Sequence, residues 1–108
     1  MHVKQIPAKV VTFKLAAALE RYESDLRALA ATWRDPDLFR RVQQQFAELR
    51  MLGAALPRLS VNWVAVLVSR IRLVEALGAC GGAVRQELNE HLEAVEGLRS
   101  RCVQALAA

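Results

Sequence analysis

Histidine is nearly missing from this chain: His2 and His91 are the only two in 108 residues. With one of them beside the first methionine, a histidine-rich metal site cannot be assembled. Glu87, Glu90 and His91 lie close together, but paired-carboxylate bundle sites place a glutamate three residues before the histidine, and residue 88 is leucine. The His-Glu pair of a metalloprotease is absent as well. Thiols are equally few. Cys80 falls in a glycine-rich break and Cys102 sits roughly 27 Å up the helix that follows. Bridged cysteines need Cα atoms within about 7 Å, so two free thiols are expected.

Glycine (five) and proline (three) are also scarce. There is no Gly-rich phosphate loop, no Gly-x-Ser-x-Gly and no Cys-x-x-Cys. These absences remove the common metal, phosphate-loop, serine-hydrolase and dithiol chemistries, so neither an enzyme nor a cofactor is expected. Arginine and lysine outnumber acids by 15 to 11. They are interspersed with those acids rather than gathered in a stripe, which argues against a phosphate-backbone partner. No stretch offers the roughly 20 apolar residues of a membrane helix. The richest window, residues 61–79, holds Arg70, Arg72 and Glu75. The first residues, "MHVKQIPAKVVTFK", lack a signal-peptide core, and a cytoplasmic location is expected.

What the chain does have is hydrophobic periodicity. Apolar residues make up 54%, with alanine supplying 18 of the positions, which excludes disorder. The length fits one domain. Leu15, Leu19, Tyr22, Leu26, Leu29 and Trp33 alternate steps of four and three, the spacing of one helix face. "WRDPD" ends that run and starts the next, with Asp35 as N-cap and Pro36 in the first helical position. Leu38, Val42, Phe46, Leu49, Leu52 and Leu56 follow, and Pro57 stops them. Ser60 is the expected cap of a third helix to about Leu77, and "GACGG" breaks the chain before a fourth seam of Val84, Leu88, His91, Val95, Leu98, Cys102 and Ala105.

The pattern predicts an all-α, antiparallel up-down-up-down four-helix bundle with helices at about 8–33, 36–56, 60–77 and 83–106. Residues 1–13 read either as an extension of the first helix or as a short strand, Lys9 to Phe13, exchanged with another copy. The helical reading is preferred.

The third helix, "SVNWVAVLVSRIRL" onward, is apolar over an arc of roughly 240°, against the 100° or so of an ordinary surface helix. Winding it at about 100° per residue makes Trp63, Val64, Leu67, Ile71 and Val74 the expected core stripe. Val66, Leu73 and Leu77 form a second sector, with Val61 and Val68 on the other flank. These five residues are the candidate interface, covered by a second copy, by a partner helix, or by the rest of a compact monomer. Asn62, Ala65, Ser69, Arg72 and Ala76 are left as the polar face. A small-molecule pocket between helices, near Trp63 and His91, is the alternative use.

Two further readings fail. A seam histidine can accept a phosphoryl group, but "HLEAVEG" surrounds His91 with glutamates that repel phosphate. A helix-turn-helix with "LPRLS" as its turn would present valines and leucines to DNA bases, where polar side chains are needed. The sequence therefore points to a non-enzymatic interaction or self-association bundle, homodimeric or paired with a partner helix, and alternatively to a ligand-sensing one.

Overall fold

Pro7 sets the start of the first helix, α1 (Ala8–Ala30). Its carbonyl accepts from the amides of Val10 (3.0 Å) and Val11 (3.2 Å), so the chain is helical from the residue after the proline. The computed structural model describes residues 6–80 and 83–108, Cys80 by its backbone alone. Lys9 to Phe13 lie within α1, which settles them as helix rather than exchanged strand. Residues 1–5 of that expectation, and Gly81 and Gly82 of the glycine break, lie outside the described residues.

The remaining elements are α2 (Pro36–Ala54), a 3-10 turn (Pro57–Leu59), α3 (Ser60–Cys80) and α4 (Arg85–Ala107). Four helices are shown, joined by short connections as the spacing predicts, and among the described residues there is no strand. Asp35 caps α2 as expected: its backbone is extended and its carboxylate accepts from the Leu38 amide at 3.0 Å. Ser60, expected as a cap, is itself helical at φ −59°, ψ −39°. The 3-10 turn delivers the chain already wound, so α3 begins without an extended residue at Ser60.

The α1 seam goes inside as predicted. Leu15, Leu19, Tyr22, Leu26 and Leu29 are buried, and Trp33 packs half-buried against them. α1 ends three residues sooner than its apolar spacing suggests. Trp33 takes φ +56°, a left-handed conformation rare for a bulky residue, and its amide reaches back to the Leu29 carbonyl at 2.7 Å. On α2, Val42, Phe46 and Leu49 face inward; on α4, His91, Leu92, Val95, Leu98 and Cys102 do.

α1 lies centrally, flanked by α2 on one side and α4 on the other, and α4 in turn carries α3. α2 and α3 approach each other over much less of their length than the other neighbouring pairs. The chain bends by 111° at the turn that joins them, where antiparallel bundle neighbours would turn by roughly 160°. The bundle is thus opened along its α2–α3 edge.

The expected orientation of α3 is corrected. Val66 and Leu73 are buried, at 0% and 3% exposure, and Leu77 is half-buried. Val64, Ile71 and Val74, expected in the core, are about half exposed. The helix is rotated by roughly 120° from the orientation the wheel suggests. The cause is Ser69. Placed on the polar face by its chemistry, it is buried instead, because a histidine on α4 supplies its hydrogen bond. With an apolar arc this wide, either face satisfies the hydrophobic term, and one satisfied polar pair decides between them.

Candidate functional site

Three polar residues meet inside the bundle. Tyr22 of α1, Ser69 of α3 and His91 of α4 are all buried, with His91 at 0% exposure. The tyrosine hydroxyl lies 2.7 Å from Nε2 of His91, and Oγ of Ser69 lies 2.8 Å from Nδ1. Ser69 Oγ is also 3.0 Å from the carbonyl of Val66. A carbonyl can only accept, so the serine proton belongs to Val66. Oγ therefore accepts from Nδ1–H of the imidazole, and Nε2, left with its lone pair, accepts from the tyrosine hydroxyl. Tyr22 donates to His91, His91 donates to Ser69, and Ser69 donates to Val66. Every member is satisfied by a neutral imidazole in a single tautomer.

Burial reinforces that state. Desolvation, aided by the nearby Arg70 charge and opposed by the Val66 carbonyl, lowers His91 from 6.5 to about 4. Desolvation also raises Tyr22 well above its usual range, against the opposing pull of Arg70. The chain of bonds ties α1, α3 and α4 together through their side chains. Nδ1 already carries a proton and cannot take one from Ser69, whose hydroxyl is committed and closed to solvent.

The pocket expected near Trp63 and His91 is filled by Phe46. Its ring stacks on Trp63 at 5.8 Å between centroids and stands 6.4 Å from His91. The Trp63 indole also lies flat against Gly53, where an added Cβ would come within 3.0 Å of the ring. The opening lies on the other side of Phe46. Where α2 and α3 diverge, a cavity of about 360 Å³ is lined by residues that include Trp33, Phe39, Val42, Leu73 and Leu77, with Tyr22 and Arg70 also on its wall. The Arg70 guanidinium sits 4.3 Å above the Phe46 ring centroid.

The expected interface residues separate. Val66 and Leu73 belong to the core, so they present nothing to a partner, and Leu77 faces the α2–α3 opening. Val61 and Val68 remain outside, at 81% and 44% exposure, and they share that face with Val64 and Ile71. These four recur at steps of three, four and three. Val74 extends the patch along one edge, and the exposed Ala65 borders it beside Val61. A second apolar set is exposed on α1, on α4 and just before α1: Val10 and Phe13, Val103, and Ile6. It is broken up by charge, since Glu20 and Arg99 share the groove beside Phe13 and Val103. Between Val61 and Ile71 the one charge is Arg70, which turns inward over Phe46.

Sequence reasoning missed Tyr22, Ser69 and Arg70. Tyr22 was hidden in an apolar seam, and Ser69 and Arg70 look like ordinary helix-surface residues. The one available signal was His91 on a buried face, which requires polar partners from other helices. Cys102 is buried and free, and burial pushes its thiol up to about 11. The side chain of Cys80 lies outside the described residues. Among the described residues no group of three or more histidines, cysteines or acids could hold a metal ion, and no single helix is long and apolar enough to cross a membrane. No family model matches the chain, and neither a curated protein nor a solved structure does.

Proposed function

We propose that this chain is a protein-interaction module that pairs with a second copy of itself through the outer face of α3. The observation that carries the reading is the exposed seam of Val61, Val64, Val68 and Ile71. With Val74, it leaves roughly 450 Å² of largely apolar surface open. One side of a standard interface buries about 800 Å², a little over half of it apolar, so the seam is the size such an interface needs. Contiguous apolar surface on this scale marks interaction sites.

A second copy fits because the seam is self-complementary. Its three-four-three spacing reads the same in both directions. An antiparallel pair of α3 helices, related by a two-fold axis at the level of Val66, puts Val61 opposite Ile71 and Val64 opposite Val68, twice over. The same register brings Glu75 of one copy near Arg58 of the other at both ends, a charge-complementary rim.

Sedimentation equilibrium of the wild type and of Val64→Glu/Ile71→Glu tests this. The wild type is expected to be dimeric at micromolar concentration, and the double variant monomeric with unchanged helicity, because both positions lie outside the monomer core. A wild type that stays monomeric at high micromolar concentration, or a double variant that stays dimeric, would overturn the reading.

A further inference from the structure

The cavity along the opened α2–α3 edge has a chemistry that the outer seam does not share. Its walls come from three helices and are almost wholly apolar: Leu26 and Leu29 of α1, Phe39 and Val42 of α2, Leu73 and Leu77 of α3. At about 360 Å³ it falls at the small end of the range for ligand pockets. No acidic residue lines it, and its one ionised group is the half-buried guanidinium of Arg70. Among the described residues no carboxylate pairs with that guanidinium. Its underside is occupied by the Phe46 ring and part of its N–H edge is turned toward the Tyr22 oxygen, which hold the side chain in place and leave the rest of that edge for an acceptor. The other polar group deep in the wall, the Tyr22 hydroxyl, has its proton committed to His91.

A fixed cation in an apolar cleft is costly to leave uncompensated and is matched by an anion that brings its own apolar body. Trp33, whose left-handed backbone closes the end of α1, also lines this cavity.

We infer that this cavity binds a small amphipathic carboxylate, its apolar body between Trp33, Phe39 and Leu77 and its carboxylate on Arg70. Recognition combines burial of the body with charge-assisted hydrogen bonds from the guanidinium, so an uncharged analogue of the same shape loses the second part. The site is separate from the α3 outer seam, of which only the flanking Val74 reaches the cavity wall. Binding therefore survives in the monomeric Val64→Glu/Ile71→Glu variant, and success or failure here is independent of self-association.

Octanoate and octanol are suitable probes, followed through the two indole N–H signals in nuclear magnetic resonance spectra. Octanoate is expected to shift the Trp33 signal saturably while leaving Trp63 in place, and octanol to bind at least about tenfold more weakly. Arg70→Gln is expected to bring octanoate down to the level of octanol, and Leu77→Trp, which fills the cavity, to abolish both. The octanoate–octanol comparison uses the wild type and needs no variant to fold. Equal binding of the two probes, or no saturable shift at Trp33, would overturn the inference. So would unchanged octanoate affinity in a folded Arg70→Gln protein.

Discussion

Lowering the pH from 7 to 4 should destabilise this protein through one residue, His91. In the folded state its imidazole is neutral, with Nε2 accepting from Tyr22 and Nδ1–H donating to Ser69. To take a proton it would need a second N–H aimed at the tyrosine oxygen, and the tyrosine proton would then lose its acceptor. Burial and the Arg70 charge oppose the positive form further, which brings the folded pKa down to about 4 from 6.5. Between those two values the unfolded chain binds a proton that the folded chain refuses. The stabilisation is therefore complete above pH 6.5, is lost as pH falls toward 4, and changes no further below that. The shift corresponds to about 3 kcal/mol, a large part of the stability of a chain this size. Urea denaturation at a series of pH values measures it, and a drop of this size moves the midpoint by on the order of 2 M. His91→Gln supplies the control. Its amide can accept from Tyr22 and donate to Ser69 but does not titrate, so subtracting its profile removes the carboxylate background. Parallel profiles for wild type and variant between pH 7 and 5 would refute the reasoning, as would a His91 resonance that titrates near 6.5 in the folded protein.

Three other outcomes follow from single contacts. Tyr22→Phe strands the Nε2 lone pair of a buried imidazole and should cost about 1–3 kcal/mol in denaturant unfolding, with the Nδ1–H tautomer retained in nitrogen-15 spectra. Gly53→Ala should destabilise by about 1–3 kcal/mol despite its better helix propensity, because the new Cβ meets the body of the Trp63 ring at 3.0 Å; a shift in Trp63 fluorescence should accompany it. Asp35→Ala removes the acceptor for the Leu38 amide and should cost about 1 kcal/mol, read as a lower thermal midpoint.

The helices and their inward faces were readable on α1, α2 and α4, because each carries a single narrow seam and local signals such as "WRDPD" mark where it stops. α3 is the exception. Its apolar residues cover most of the circumference, so periodicity cannot choose a face. The choice was made by Ser69 meeting His91, a contact between residues on different helices. The same contact explains the rest of what was hidden. Once Ser69 turns inward, Val66 and Leu73 follow it into the core and Val64 and Ile71 are carried out. The opened α2–α3 edge was equally invisible, since the proline turn at 57 fixes where the chain bends but not by how much. Arg70 gains its meaning only from that opening, and no local pattern sets it apart from Arg72 two residues later.

The central claim is that two copies meet through α3 in antiparallel register. It is tested most directly by disulfide formation between variants that each add one cysteine to a Cys80→Ser background, Cys102 being buried. In the proposed register Val61 faces Ile71 of the other copy, whereas the two Val61 positions lie roughly 15 Å apart. Mixing Val61→Cys with Ile71→Cys under mild oxidation should give a covalent heterodimer, while Val61→Cys alone should give almost none. Rapid self-linkage of Val61→Cys, or no linkage in the mixture, would contradict it.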